Sequence, residues 1–341
     1  MSEVGIEIRL QNLVRPPRIG FLGVGWIGRH RMKAILETGR VEAVAICDPS
    51  PDMAEAAREL APEAAIATSF DSLLQGNLDG IVIATPSALH AQQSIEALKR
   101  GIAVFCQKPL GRTRQEVERV VEAARAADKL LGVDLSYRHT SGMRCIRDLV
   151  RRGELGNIFA VDMVFHNAYG PDKAWFYNKA LSGGGCVMDL GIHLADLALW
   201  TLDFPTVTKI ESSLFWEGVP VRADGNDVED FAIATATLST GTVLRMACSW
   251  RLNAGCDAII SAGFYGDKGG ATLRNVNGSF YDFIAEHHRG TGTETLTAPP
   301  DEWGGRAASE WAMRLAAGET YDPACEKLIA SAALLDGIYS R

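Results

Sequence analysis

Arg18-Ile-Gly-Phe-Leu-Gly23-Val-Gly25-Trp26-Ile27-Gly28 is the stretch on which the fold turns. A short apolar run enters a G-x-G-x-x-G loop, and a helical pattern from Ile27 to Thr38 leaves it. Each glycine answers a different need. Gly23 permits the tight turn, Gly25 lets the backbone approach a pyrophosphate, and Gly28 lets helix and strand pack closely. The exposed N–H groups and positive end of such a helix attract that anion, with Trp26 and Ile27 beside it. Twenty residues past Gly28, the next apolar run, Val41 to Cys47, ends at Asp48. A carboxylate there accepts hydrogen bonds from adenosine ribose hydroxyls and repels a 2′-phosphate, which favours NAD and keeps NADP as the alternative. The competing reading is a turn that needs glycines and a solvated Asp before Pro49.

Working outward, short apolar runs alternate with helical patterns from Pro17 to Asp134, which predicts repeated strand-helix-strand units and a doubly wound parallel sheet. Strands are expected at Arg18–Leu22, Val41–Cys47, Gly80–Ala84, Ala103–Cys106 and Leu130–Asp134. Helices are expected at Ile27–Thr38, Pro51–Leu60, Ala88–Arg100 and Arg114–Ala127. After one more helix, Ser141–Arg152, the rhythm changes. Runs at Ile158–Phe165, Lys209–Trp216, Asp230–Leu238, Thr242–Trp250 and Ala258–Phe264 follow one another across Gly, Asn and Asp turns, which suggests an α+β domain with a largely antiparallel sheet. Two helical stretches, Gly305–Ala317 and Pro323–Tyr339, close the chain. The expected division is a leader or extra strand over 1–16, a dinucleotide-binding domain over 17–138 and a substrate domain over 139–341.

The composition agrees with this plan. A chain of 341 residues with 47% hydrophobic and 22% charged residues can fill two cores. A net charge of -8 argues against a nucleic-acid partner. No run of apolar residues is long enough to suggest a membrane span. The first sixteen residues carry Glu3, Glu7 and Arg9 and lack a signal's apolar core, and the seven scattered cysteines form no C-x-x-C pair. A cytoplasmic protein without a structural metal is therefore expected.

Chemistry-bearing residues fall at the carboxyl ends of the expected strands, where an open α/β sheet binds its ligands. Thr85 and Pro86 follow Gly80–Ala84, and His90 lies in the first turns of the next helix, so all three are candidate cofactor contacts. Gln107-Lys108-Pro109 follows Ala103–Cys106. Proline restricts Lys108 to extended backbone, so its ammonium can be aimed into the crevice to favour a developing alkoxide. The second cluster is Gly183-Gly-Gly-Cys-Val-Met-Asp189-Leu-Gly-Ile-His193-Leu-Ala-Asp196. Its three glycines suggest close backbone approach to a ligand. Asp189 and His193, four apart, share a helix face, so Asp189 could orient His193 as a proton acceptor or hold a substrate hydroxyl. Tyr137, Arg138, His166, Tyr169, Trp175 and Tyr177 are further candidates for lining the crevice; Tyr137, His166 and Trp175 join Lys108, Asp189 and His193 as the choices for substrate contact, and Lys108 is also a candidate cofactor contact.

These motifs, in this order along nearly the whole chain, resemble the Gfo/Idh/MocA oxidoreductases. The resemblance implies a Rossmann domain followed by an open-faced, mostly antiparallel sheet, with a site between them. It implies a catalytic set of Lys108, Asp189 and His193, a nicotinamide cofactor, a sugar or cyclitol substrate and a homodimer or homotetramer. The Lys-Pro bond is often cis in relatives. One departure stands out, since the family's usual Glu-Lys-Pro is Gln107-Lys108-Pro109 here. The implied reaction moves a hydride between a secondary alcohol and NAD(P). Three other readings stay open: an NAD-dependent glycosidase on the same framework, a non-catalytic dinucleotide or sugar sensor, and a reductase of an aldehyde, imine or diol substrate in the same family.

Overall fold

A computed structural model describes residues 15–221 and 227–340. The leader or extra strand expected over 1–16 lies outside these residues, apart from Arg15 and Pro16. The first sheet is wholly parallel, with six strands in the order β3-β2-β1-β4-β5-β6. They are β1 (Arg18–Leu22), β2 (Glu42–Cys47), β3 (Ala65–Ile66), β4 (Gly80–Ile83), β5 (Ala103–Cys106) and β6 (Leu131–Val133). β4 and β5 are buried along their whole length, as continuous apolar runs in a sheet covered on both faces should be. The helices between them are α1 (Trp26–Leu36), α2 (Pro51–Arg58), α3 (Phe70–Leu74), α4 (Ser87–Lys99) and α5 (Arg114–Ala127). The strand order reverses between β1 and β4, which opens a crevice at their carboxyl ends.

The second sheet has nine strands, in the order β15-β14-β13-β12-β7-β11-β10-β8-β9. They are β7 (Ile158–Asn167), β8 (Val207–Trp216), β9 (Val219–Pro220), β10 (Phe231–Leu238), β11 (Val243–Ser249), β12 (Ala258–Gly266), β13 (Gly270–Asn275), β14 (Phe283–Arg289) and β15 (Gly292–Thr297). Among the described strands of this sheet, only β7 and β11 pair in parallel. One face packs on α6 (Ser141–Arg151), a single turn α7 (Lys179–Ser182) leads toward the site, and α8 (Ile192–Thr201) lies in the same core. The other face presents Ile233, Val243, Ile259 and Tyr265, each more than a third exposed.

Two C-terminal helices tie the halves together. α9 (Arg306–Ala316) packs on α1 and sets Trp311 against Phe105, in space that Gly80 and Gly132 leave by having no side chain. α10 (Leu328–Ile338) packs on both α5 and α8. None of the described helices is long and apolar enough to cross a membrane.

Candidate active site

The crevice at the β1/β4 reversal widens into a cavity of about 1980 Å³ lined by both halves of the chain. Single small ligands occupy roughly 300–1,000 Å³, so there is room for a dinucleotide with a substrate beside it.

At the cofactor end the three glycines differ as their spacing suggests. Gly23 has φ +79°, and a Cβ there would meet the Ala84 carbonyl at 2.6 Å. A Cβ on Gly28 would meet the Gly23 carbonyl at 2.2 Å, so strand and helix pack without an intervening side chain. A Cβ on Gly25 would meet nothing tighter than an ordinary contact, and α1 begins there with no side-chain cap and no acid in its first turn. Uncapped N–H groups beside an open glycine fit a diphosphate. Trp26 and Ile27 line the same cavity. Asp48, at the end of β2, accepts N–H bonds from Val24 at 2.7 Å and Ser50 at 2.9 Å. It therefore shapes the glycine loop as well as facing the cavity.

Thr85, Pro86 and His90 also line the cavity. His90, expected as a cofactor contact, has both ring nitrogens against backbone carbonyls, Nδ1 with Pro109 at 2.7 Å and Nε2 with Thr85 at 2.6 Å. Burial pushes its pKa down. Its polar atoms are used to brace the β4 and β5 loops against each other.

At the catalytic end, β5 delivers Lys108 and a cis Lys108–Pro109 bond. Lys108 Nζ donates to Asp189 Oδ1 at 2.7 Å and to the Asp189 carbonyl at 2.6 Å. Asp189 lies in a wider, π-helical turn, Val187–Gly191, ahead of α8. Such turns often occur at functional sites. The carboxylate's Oδ2 accepts from Trp250 Nε1 at 3.0 Å. The expectation that Asp189 orients His193 is thus corrected: its carboxylate is held by Lys108 and Trp250. His193 is buried with Nδ1 lacking any polar partner, and its ring lies 4.8 Å from that of Tyr137, edge to face. Burial, then the nearby Lys108 and Arg31 charges, hold its pKa well below the ordinary value. Burial likewise raises the pKa of Tyr137, keeping its hydroxyl protonated.

Gly184 and Gly185 line the cavity, and the glycine run also serves packing within the protein. A Cβ on Gly185 would meet the Glu229 carbonyl at 1.8 Å, and one on Gly184 would meet the Tyr339 hydroxyl at 2.0 Å. The closely approaching backbone meets protein here. Buried Glu229 accepts N–H bonds from Gly185 at 3.0 Å and Val187 at 2.9 Å and an O–H bond from Tyr339 at 2.7 Å, fixing the turn that presents Asp189.

Tyr137 and Trp175 line the cavity, but His166 does not. It lies on the outward face of the second sheet, bonded to Ser249 Oγ at 2.7 Å and stacked on Phe231. Arg138 is paired with buried Asp196, Tyr169 bonds Asp257 and Tyr177 bonds the Pro171 carbonyl, so none of these three lines the cavity. Trp250, Tyr281, Trp303 and the buried Arg31–Asp134 pair were not foreseen. Asp134 and Ser136 follow β6 directly, and their position at a strand's carboxyl end was the available signal.

Comparison with known proteins agrees with this architecture. Residues 17–135 match the family described as "Oxidoreductase family, NAD-binding Rossmann fold", and residues 143–272 match "GFO/IDH/MocA C-terminal domain". The chain is 28% identical over 270 residues to D-glucoside 3-dehydrogenase of Escherichia coli (strain K12), spanning 76% of this chain and 77% of that one. It is 31% identical over 190 residues to inositol 2-dehydrogenase of Acidiphilium cryptum (strain JF-5), 54% of each chain. A levoglucosan dehydrogenase solved with NADH and levoglucosan shares the fold, with TM-score 0.81 and 18% identity over 96% of this chain and 97% of that one. With both halves matched in sequence, the chain belongs to the Gfo/Idh/MocA family of oxidoreductases, and its first domain is an NAD-binding Rossmann fold.

Proposed function

We propose that the protein transfers a hydride between NAD(P) and a secondary alcohol of a sugar or cyclitol, using Lys108, Asp189 and His193. The observation that carries this is the Lys108–Asp189 pair. It joins residues 81 positions apart, from the parallel sheet and from the second domain, across the cavity beside His193. Gly23, Gly25, Trp26, Ile27, Gly28, Asp48, Thr85 and Pro86 would hold the dinucleotide, whose nicotinamide accepts or supplies the hydride when bound.

The chain's own groups then position the alcohol and handle its proton. Lys108 has three N–H donors, and two are spent on Asp189. The third is available to a substrate hydroxyl, and the paired carboxylate keeps the ammonium in place. Neutral His193 has its buried Nδ1 shielded, which leaves Nε2 as the nitrogen that receives the hydroxyl proton. Tyr137, protonated and edge-on to His193, supplies a donor on the same wall. Trp175 offers an aromatic surface of the kind on which sugar rings rest.

Asp48 supports NAD as the preferred cofactor. The apolar outward face around Ile233, Val243 and Ile259 supports assembly into a homodimer or homotetramer, and the free cysteines support a cytoplasmic setting. Replacing Lys108 by Ala tests the assignment. Turnover should fall steeply while NAD affinity stays near that of the wild type, and retained turnover would refute the role of Lys108.

A further inference from the structure

One cation in the cavity is not accounted for by the groups described so far. Lys173 belongs to the segment between β7 and α7, in the second domain, yet its Nζ lies 3.6 Å from where a Cβ on Gly25 would stand. Among the described residues, Gly25's own chain neighbours aside, no other group lies within 4 Å of that position. The segment is held from behind: Tyr177 Oη donates to the Pro171 carbonyl at 2.9 Å, and Gly170 leaves the space that this hydroxyl occupies. Lys173 thus projects over the start of α1. Among the described residues its ammonium forms no ion pair and no hydrogen bond, in a chain with 42 Asp and Glu.

An ammonium over the positive end of an uncapped helix is electrostatically unfavourable when left alone, by about 0.3–1 kcal/mol. With an anion between them, the same two groups attract it from both sides. We propose that Lys173 is a ligand of the cofactor's diphosphate, reaching it from the substrate domain while the α1 N–H groups bind it from the Rossmann domain. The proposal rests on the dinucleotide reading of the glycine loop. It adds that the diphosphate bridges the two domains. Trp175, two residues beyond Lys173 and on the cavity wall, is then drawn to its place by the cofactor, so cofactor binding prepares the substrate side.

Calorimetric titration of the full-length protein with NAD, ADP-ribose and adenosine separates the outcomes. Lys173→Ala should weaken NAD and ADP-ribose together by about tenfold or more, as loss of a charge-assisted bond to phosphate does. Lys173→Arg should keep most of the affinity, and adenosine binding should not change. Because Lys173 is exposed, the melting temperature should stay at the wild-type value. If the wild type binds NAD and Lys173→Ala binds it equally well, or if adenosine is weakened as much as ADP-ribose, the role of Lys173 is overturned. If the wild type binds neither NAD nor ADP-ribose, the dinucleotide reading falls with it.

Discussion

The Gln107 side-chain amide donates to the carboxylate of Asp134, and the same carboxylate oxygen accepts from Arg31 Nε at 2.5 Å. Ser136 completes the group, donating to Asp134 Oδ1 at 2.5 Å and accepting from Arg31 at 3.0 Å. This gives the unusual Gln of Gln107-Lys108-Pro109 a physical partner. A glutamate at this position would place two buried carboxylates in contact with one guanidinium between them.

Gln107→Glu should therefore lower the melting temperature at pH 8 and regain part of the loss on acidification, as one of the two carboxyls takes up a proton. Asp134→Asn strands the Arg31 charge and should cost about 3–5 kcal/mol. Combining both substitutions returns one carboxylate to Arg31, so the double variant should unfold at higher temperature than either single one. Additive losses in thermal unfolding would show that the pair is not coupled.

Gly25 and Gly185 should respond oppositely to the same methyl group. Gly25 has φ −59°, which alanine adopts readily, and a Cβ there would meet only the flexible end of Lys173 at an ordinary 3.6 Å, so Gly25→Ala should keep its melting temperature and lose NAD affinity. Gly185→Ala drives a Cβ into the Glu229 backbone and should destabilise the protein by several kcal/mol. Thermal melts and NAD titrations of both variants check the contrast.

His193 should give activity a distinctive acid limit. Its pKa is depressed, so the base is already neutral well below the value of about 6.5 for free imidazole, and the acid limb of kcat/KM should lie below that pH. His193→Gln should lose about 10²–10⁴-fold in turnover and abolish the limb. Stability follows the same sign. The unfolded chain takes up this proton near pH 6.5 and the folded one does not, so the contribution is full above that pH and declines as the solution is acidified below it. An acid limb at or above pH 6.5 would remove His193 from the role.

Trp250 should matter to turnover through Asp189. Trp250→Phe removes the indole donor from Asp189 Oδ2 while keeping an aromatic ring in the core. Turnover should drop by about tenfold or more, the equivalent of a lost hydrogen bond to a charged group, with NAD affinity unaffected. Matched steady-state kinetics and NAD titration decide it.

The parallel sheet was readable because β1, β4 and β5 are short apolar runs with breakers between them, and the helix Arg114–Ala127 could be read to the residue from its Thr113 cap and apolar face. β3 is only two residues long and exposed, and β15 is polar throughout most of its length, so neither carries a periodic signal. β14 escaped because apolar Ile284 stands among its outward positions and polar His287 among its buried ones, which blurs the alternation. In the site, Lys108, Asp189 and His193 could be found from strand ends and helical spacing. Their partners could not. Trp250 approaches Asp189 from just past the end of β11, 61 residues away, and Glu229 reaches the glycine run from 44 residues away, contacts set only by how the second sheet folds over α8. His166 misled because an alternating strand puts every other residue on the outward face, and the sequence does not say which face is which.

The central claim is net hydride transfer from a sugar or cyclitol alcohol, and the most direct measurement is the absorbance of reduced nicotinamide. Purified protein would be incubated with NAD or NADP and a panel of sugars, cyclitols and glycosides, with product analysis alongside. The account predicts that at least one polyol yields stoichiometric NADH and the matching ketone, faster with NAD than with NADP, and that Lys108→Ala abolishes it. Glycoside hydrolysis with no net NADH, or tight NAD binding with no turnover of any panel member in either direction, would contradict it.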